Sequence, residues 1–135
     1  MATSTGKYLG QLRTENTHKG SGQQIITDAP VDNNGKGEAF SPTDLVCAAL
    51  GSCMVTIMGI LANRENIDLS ELSWSVTKHM AANPRRISKI EVEMSWPGAQ
   101  NYDASTHQKV KKAARTCPVA LSLHPDVVQE YTFNF

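Results

Sequence analysis

Residues 39–64 read AFSPTDLVCAALGSCMVTIMGILANR, and this stretch decides the fold. Ser41-Pro42-Thr43-Asp44 has the pattern of a helix start: a hydroxyl N-cap, proline at the first helical position, and a carboxylate at the third in capping-box fashion. The pattern predicts a helix running from there to about Asn66. No charge occurs between Leu45 and Asn63. Val46, Ala49, Leu50, Cys53, Ile57, Ile60 and Leu61 fall on one face at helical spacing. The opposite face, with Cys47, Met54 and Met58, is mostly apolar too. A helix apolar all round is either enclosed by protein or crosses a bilayer. A span needs roughly 20 predominantly apolar residues. This run is slightly short, contains Gly51, Ser52, Thr56 and Gly59, and stands alone in a polar chain. The expectation is therefore a central core helix and no membrane segment. One small domain rarely encloses a helix on every side, so the pattern also points to an intimate dimer.

On the N-terminal side, residues 1–6 read as a frayed end. Residues 7–15 and 23–27 read as two short strands, separated by the turn-rich NTHKGSG. DAPVDNNGKGEAF, residues 28–40, is a surface loop by its Gly, Pro, Asn and Asp content. On the C-terminal side, Leu72, Trp74 and Val76 alternate with polar residues, as do Ile90, Val92, Met94 and Trp96. These are two half-buried strands of an antiparallel hairpin joined through AANPRR. A second helix is predicted over about 103–116, with Val110, Ala113, Ala114 and Cys117 on its apolar side. Pro118 cannot continue that helix but can open a short one. Tyr131, Phe133 and Phe135 alternate in a final strand. The fold class is α+β, in a single domain over residues 1–135.

Composition excludes several functions. The 135 residues carry thirteen basic and thirteen acidic side chains, so no electrostatic footprint for nucleic acid is present. The opening MATSTGKYLG lacks the apolar core of a secretory signal. Three cysteines in such a chain fit a reducing cytoplasm, and an odd count permits at most one intrachain disulfide.

The cysteines carry the most specific chemistry. The residue before a proline is pushed out of the helical region. Cys117 is thus expected at the N-cap of the helix that Pro118 opens, where backbone N–H groups favour a thiolate. Cys53, in mid-helix, needs a nearby cation to become nucleophilic, and Arg13 and Arg115 are the candidates. The two thiols could form a redox pair or simply pack, since free cysteine behaves as a small hydrophobe. Cys47, on another helical face, reads as packing. His18, His79, His107 and His124 show no paired ligand spacing, and CxxC and HExxH are absent. A zinc site could arise only by tertiary convergence, for example of Cys117 with His124. Gly20-Ser21-Gly22 is a turn and not a nucleophile elbow. Lys109, Lys111, Lys112 and Arg115 form the solvated face of the second helix.

FSPTDLVCAALGSCMVTIMGILANRENIDL and the later ARTCPVALSLHPDV, with YLGQLRTENTHKGSG…ITDAP and RRISKIEVEM, resemble the OsmC/Ohr family over nearly the whole chain. That resemblance implies a curved antiparallel sheet wrapped around two central helices in an intertwined homodimer. It implies a thiol peroxidase acting on organic hydroperoxides in oxidative-stress defence, regenerated by a small dithiol or a thiol protein and needing no cofactor. By position, Cys53 is then the peroxidatic cysteine, Cys117 the resolving one, and Arg13 the arginine that holds the first thiolate. The apolar wall of Val46, Leu50, Met54 and Ile57, together with Thr43, is the expected substrate contact. The family's hydroperoxide reductases carry a glutamate ten residues before the first cysteine, paired with the arginine. Here that position is Thr43, and Asp44 follows it. The rival expectations are a non-catalytic dimer with a ligand-binding or interaction role, and a metal-binding protein.

Overall fold

A computed structural model describes all of residues 1–135. The chain comprises two compact units, Met1–Val46 and Cys47–Phe135. The first holds a three-stranded antiparallel sheet of β1 (Ser4–Gly10), β2 (Arg13–His18) and β3 (Gln24–Asp28), in that order. The expected single strand over residues 7–15 is instead a hairpin. Gly10 pairs with Arg13 across a two-residue turn, Gln11-Leu12, in which both central residues have positive φ (53° and 63°). This is the backbone hand that matches the twist of the flanking strands. The Leu12 N–H donates to the Tyr8 hydroxyl at 3.1 Å, which supports the turn. Residues 4–6, expected to fray, are the start of β1 and pair with the end of β2.

Helix α1 (Pro42–Glu65) begins with the reciprocal cap that its sequence predicts. The Asp44 N–H donates to the Ser41 hydroxyl at 3.1 Å, and the Ser41 N–H donates to the Asp44 carboxylate at 2.9 Å. The helix ends as Asn66 turns to a φ of 56°.

In the second unit, β4 (Ser73–Ala81), β5 (Arg86–Ser95) and β6 (Val128–Asn134) form a sheet with β5 in the centre. Ile90, Val92 and Met94 alternate inward from β5 and are wholly enclosed. They join Leu50, Met54 and Met58 of α1, Val110 and Ala114 of α2 (Ala104–Ala114), Trp96 and Cys117 in one core. Each fully buried Leu, Ile or Met side chain is worth about 1.5–3 kcal/mol. The antiparallel pairing expected from the sequence holds for three of the four ladders; β5 and β6 run parallel. The reason is the connection between them, which contains α2 and the short α3 (Pro118–Ser122). A crossover of this length carries the chain back to the starting end of the sheet, and parallel pairing follows.

Helix α1 is long and apolar enough to cross a bilayer by length and composition. Its buried face is Cys47, Leu50, Gly51, Met54, Met58 and Ala62. This is the side read from the sequence as the opposite face, joined by Leu50. Val46 and Ile60, on the side read as the principal apolar one, are 37% and 54% exposed. Gly51 permits the close packing of α1 on β4: a Cβ there would lie 2.7 Å from the Trp74 indole nitrogen and 3.0 Å from Val76 Cγ2.

Candidate functional site

Cys117 occupies the N-cap of α3 with an extended backbone (φ −67°, ψ 140°), as its place before Pro118 predicts. The Ala120 N–H donates to its sulfur at 3.3 Å. The sulfur belongs to the core and is wholly enclosed. Cys53 lies mid-way along α1, half-buried, and its thiol is near enough to Cys117 to act on the ionisation of that thiol. All three cysteines are free thiols. Burial pushes the Cys117 thiol above the usual range, and the neighbouring Cys53 adds to the rise; the N–H groups of Ala120 and Val119 only partly offset it. The expected thiolate at this N-cap is therefore corrected: the dipole pulls in the predicted direction, but desolvation is larger. Cys47 packs in the core, as read from its helical position.

At about 100° per residue, Cys53 falls within the uncovered stripe, between Ile60 and Val46 and close to Ala49. This stripe is the open side of the helix. Of the expected apolar wall, Val46 and Ile57 lie beside this open side. Leu50 and Met54 are wholly enclosed core residues, out of reach of a molecule arriving from solvent.

Two residues of β6 tie down the Cys117 turn, and the sequence reading marked neither as a site residue, Tyr131 being read there only as a strand position. Gln129 Nε2 donates to the Ala120 carbonyl at 3.0 Å, and the Tyr131 hydroxyl donates to Gln129 Oε1. Burial first, and then Cys117, push the Tyr131 phenol upward, with Arg115 opposing. Arg115, one of the two candidate cations, lies over the rings of Tyr131 and Phe133 at 5.4 and 5.5 Å. The signal was the alternation of β6, which places Gln129, Tyr131 and Phe133 on the inward face.

Arg13 is the first residue of β2, set by the Gln11-Leu12 turn and paired in register with Asp28 of β3. Its Nε and Nη2 donate to the two Asp28 oxygens at 2.7 and 2.8 Å, and Nη2 also reaches Glu38 at 3.3 Å. Asp28 is 1% exposed. The hydrogen bonds from Arg13 hold the Asp28 carboxyl well below the usual range against the opposing effect of burial, and the same pair raises the guanidinium. Thr43, in the first turn of α1, has its hydroxyl 3.2 Å from that of Ser41. Asp44 serves the helix cap.

The histidines are engaged separately. His18 meets Ser21, His79 meets Glu91, His107 meets the Ala99 carbonyl, and His124 accepts from the Asp126 N–H. No three His, Cys, Asp or Glu side chains converge as a metal site.

Two neighbouring free thiols stand on a scaffold of helix and crossover, and the comparisons place the chain in a family. The family model for OsmC-like protein matches residues 35–132. The chain belongs to the OsmC-like family. Among solved structures it resembles a Psychrobacter arcticus protein whose suggested role is an osmotic stress induced and detoxification response. That likeness has 48% identity and a TM-score of 0.93, over 99% of this chain and 96% of the other. It shares its fold with the organic hydroperoxide resistance protein OsmC of Legionella pneumophila (18% identity, TM-score 0.76, 100% and 98% of the two chains). It also shares it with a Vibrio cholerae protein, suggested to be an organic hydroperoxide resistance protein, with captopril bound in one of its active sites (12% identity, TM-score 0.71, 99% and 92%). No curated protein sequence matches the chain. The family thus supports a redox or stress-response role at its own level.

Proposed function

We propose that this protein is a thiol peroxidase for organic hydroperoxides, working through a Cys53–Cys117 dithiol–disulfide cycle. The observation that carries the reading is the approach of two free thiols, one half-exposed on α1 and one buried at the crossover. In the first step the Cys53 thiolate attacks the distal oxygen of ROOH. The O–O bond breaks, the alkoxide leaves and takes a proton to become ROH, and the sulfur is a sulfenic acid. Cys117 then attacks that sulfur. An S–S bond forms, and the hydroxyl departs with the Cys117 proton as water. Two thiol equivalents from a small dithiol or a thiol protein reduce the disulfide by exchange. Arg13 serves as the cation for the first thiolate, of its own chain or of a second copy. Val46 and Ile57 supply apolar contact that favours an organic peroxide over hydrogen peroxide. A homodimer that covers Ala49 and Ile60 of the open stripe, and leaves Val46 open, fits this reading, as does a reducing cytoplasm for three free cysteines.

Peptide mapping by mass spectrometry after cumene hydroperoxide treatment tests the cycle. The expected product is a Cys53–Cys117 linkage in the native sequence, no turnover in Cys53→Ser, and a trapped sulfenic acid in Cys117→Ser. Oxidation that never joins the two cysteines removes the two-thiol mechanism. Thr43, standing where the family's reductases have glutamate, favours a second reading as a non-catalytic dimer with a ligand-binding role. No peroxide consumption in a coupled assay, with both thiols reduced and accessible to mapping, would select it.

A further inference from the structure

We infer that Asp28 is the positioning carboxylate for Arg13, supplying from strand β3 what Thr43 cannot supply from helix α1. The inference rests on the reading of Arg13 as the cation of the reaction and deepens it. A guanidinium is held in one orientation only by a planar partner that engages two of its nitrogens at once. Asp28 does this through Nε and Nη2, at 2.7 and 2.8 Å, and Nη1 takes no part. Asp28 is itself fixed from several sides. The Glu38 N–H donates to its Oδ2 at 3.1 Å, its own N–H donates to the Phe40 carbonyl at 3.1 Å, and its Cα is in register with that of Arg13. Its side chain is 1% exposed, whereas the Arg13 side chain is 26% exposed. The enclosed end of the pair is therefore the anchor, and the guanidinium is the end that reaches outward.

Glu38 does not fill this role. Its side chain is 66% exposed and makes one contact, at 3.3 Å. An exposed single contact of that kind is screened and loosely oriented. The sequence hid the assignment because Asp28 opens the loop DAPVDNNGKGEAF, where an aspartate reads as turn chemistry. The family pattern also directs attention to the helix position ten residues before Cys53.

Steady-state peroxide reduction by the full-length Asp28→Asn, Arg13→Ala and Arg13→Lys variants tests the assignment, with circular dichroism to establish that each is folded. The expected result is at least a fivefold loss of kcat in Asp28→Asn, with KM within twofold, approaching the loss in Arg13→Ala. A smaller loss in Asp28→Asn, or one confined to KM, beside a slow Arg13→Ala overturns the role of Asp28 and leaves that of Arg13 standing. An Arg13→Ala variant of undiminished kcat removes the reading of Arg13 and the present inference with it. If Asp28→Asn does not fold, Arg13→Lys decides. It keeps the charge but cannot match both carboxylate oxygens, so a fivefold or greater loss is expected, and a smaller one overturns the proposal.

Discussion

Cys117 illustrates how one residue is subject to two opposed influences whose sizes decide its chemistry. The Ala120 and Val119 N–H groups favour its anion, while enclosure and the adjacent Cys53 favour the neutral thiol, and the second pair prevails. The resolving thiol is therefore protonated at neutral pH and must shed its proton as it attacks. Disulfide closure after peroxide oxidation is expected to accelerate as pH rises above the ordinary thiol range, and stopped-flow tryptophan fluorescence would follow it. A closure rate flat across that range would rule out the buried protonated thiol. The linkage has a definite sign. A thiol whose folded value is raised stabilises the fold below its unfolded value, and that contribution is lost as pH climbs through the folded one. Tyr131 is shifted the same way, so comparison with Cys117→Ser isolates the thiol's share of the alkaline destabilisation.

At the scale of elements, Gly51 sets how closely α1 approaches β4. An alanine in a helix interior gains about 1 kcal/mol over glycine. Here its Cβ would lie 2.7 and 2.9 Å from two atoms of the Trp74 indole and 3.0 Å from Val76, and overpacking of this kind costs about 1–3 kcal/mol. Gly51→Ala is expected to lower stability despite its better propensity, by roughly 1 kcal/mol, seen as a lower midpoint in urea or heat denaturation. A raised midpoint would mean that the helix can shift away at little cost. The elements also show what a sequence discloses. The start of α1 and the N-cap of α3 were legible because hydroxyl, proline and carboxylate act over three or four neighbouring residues. The Gln11-Leu12 turn was not, because neither residue announces the positive φ that the hairpin imposes. The buried side of α1 was ambiguous because periodicity cannot rank two faces that are both apolar. The parallel β5–β6 pairing was implied by the length of the crossover but obscured by strand alternation, which is the same in either direction. At the site, the thiol positions followed from local rules. The Arg13–Asp28 pair and the Gln129–Tyr131 tie depend on strand register, which the residues do not state on their own.

For the molecule as a whole, the open stripe of α1 is the decisive surface. Val46, Ala49 and Ile60 recur at helical spacing, are uncovered, and flank Cys53. A second copy laid along the Ala49 and Ile60 side of this stripe would bury that side and leave the thiol open beside Val46. Ile60→Asp changes a residue already 54% exposed, so the single chain should fold normally while self-association is lost. Sedimentation velocity is expected to show a dimer for the native sequence and a monomer for the variant. A native chain that sediments as a monomer at all concentrations would exclude the arrangement.

The complete enclosure of Cys117 has a further consequence for how electrons travel. On the proposed cycle, the oxidant and the regenerating thiol share a single doorway, because Cys117 is enclosed and Cys53 is the half-buried member of the pair. A mixed disulfide with the reductant must therefore form there, and Cys117 is the leaving group that recovers its proton inside the fold. Traffic in both directions passes through one atom, and the inner sulfur never encounters a diffusing molecule.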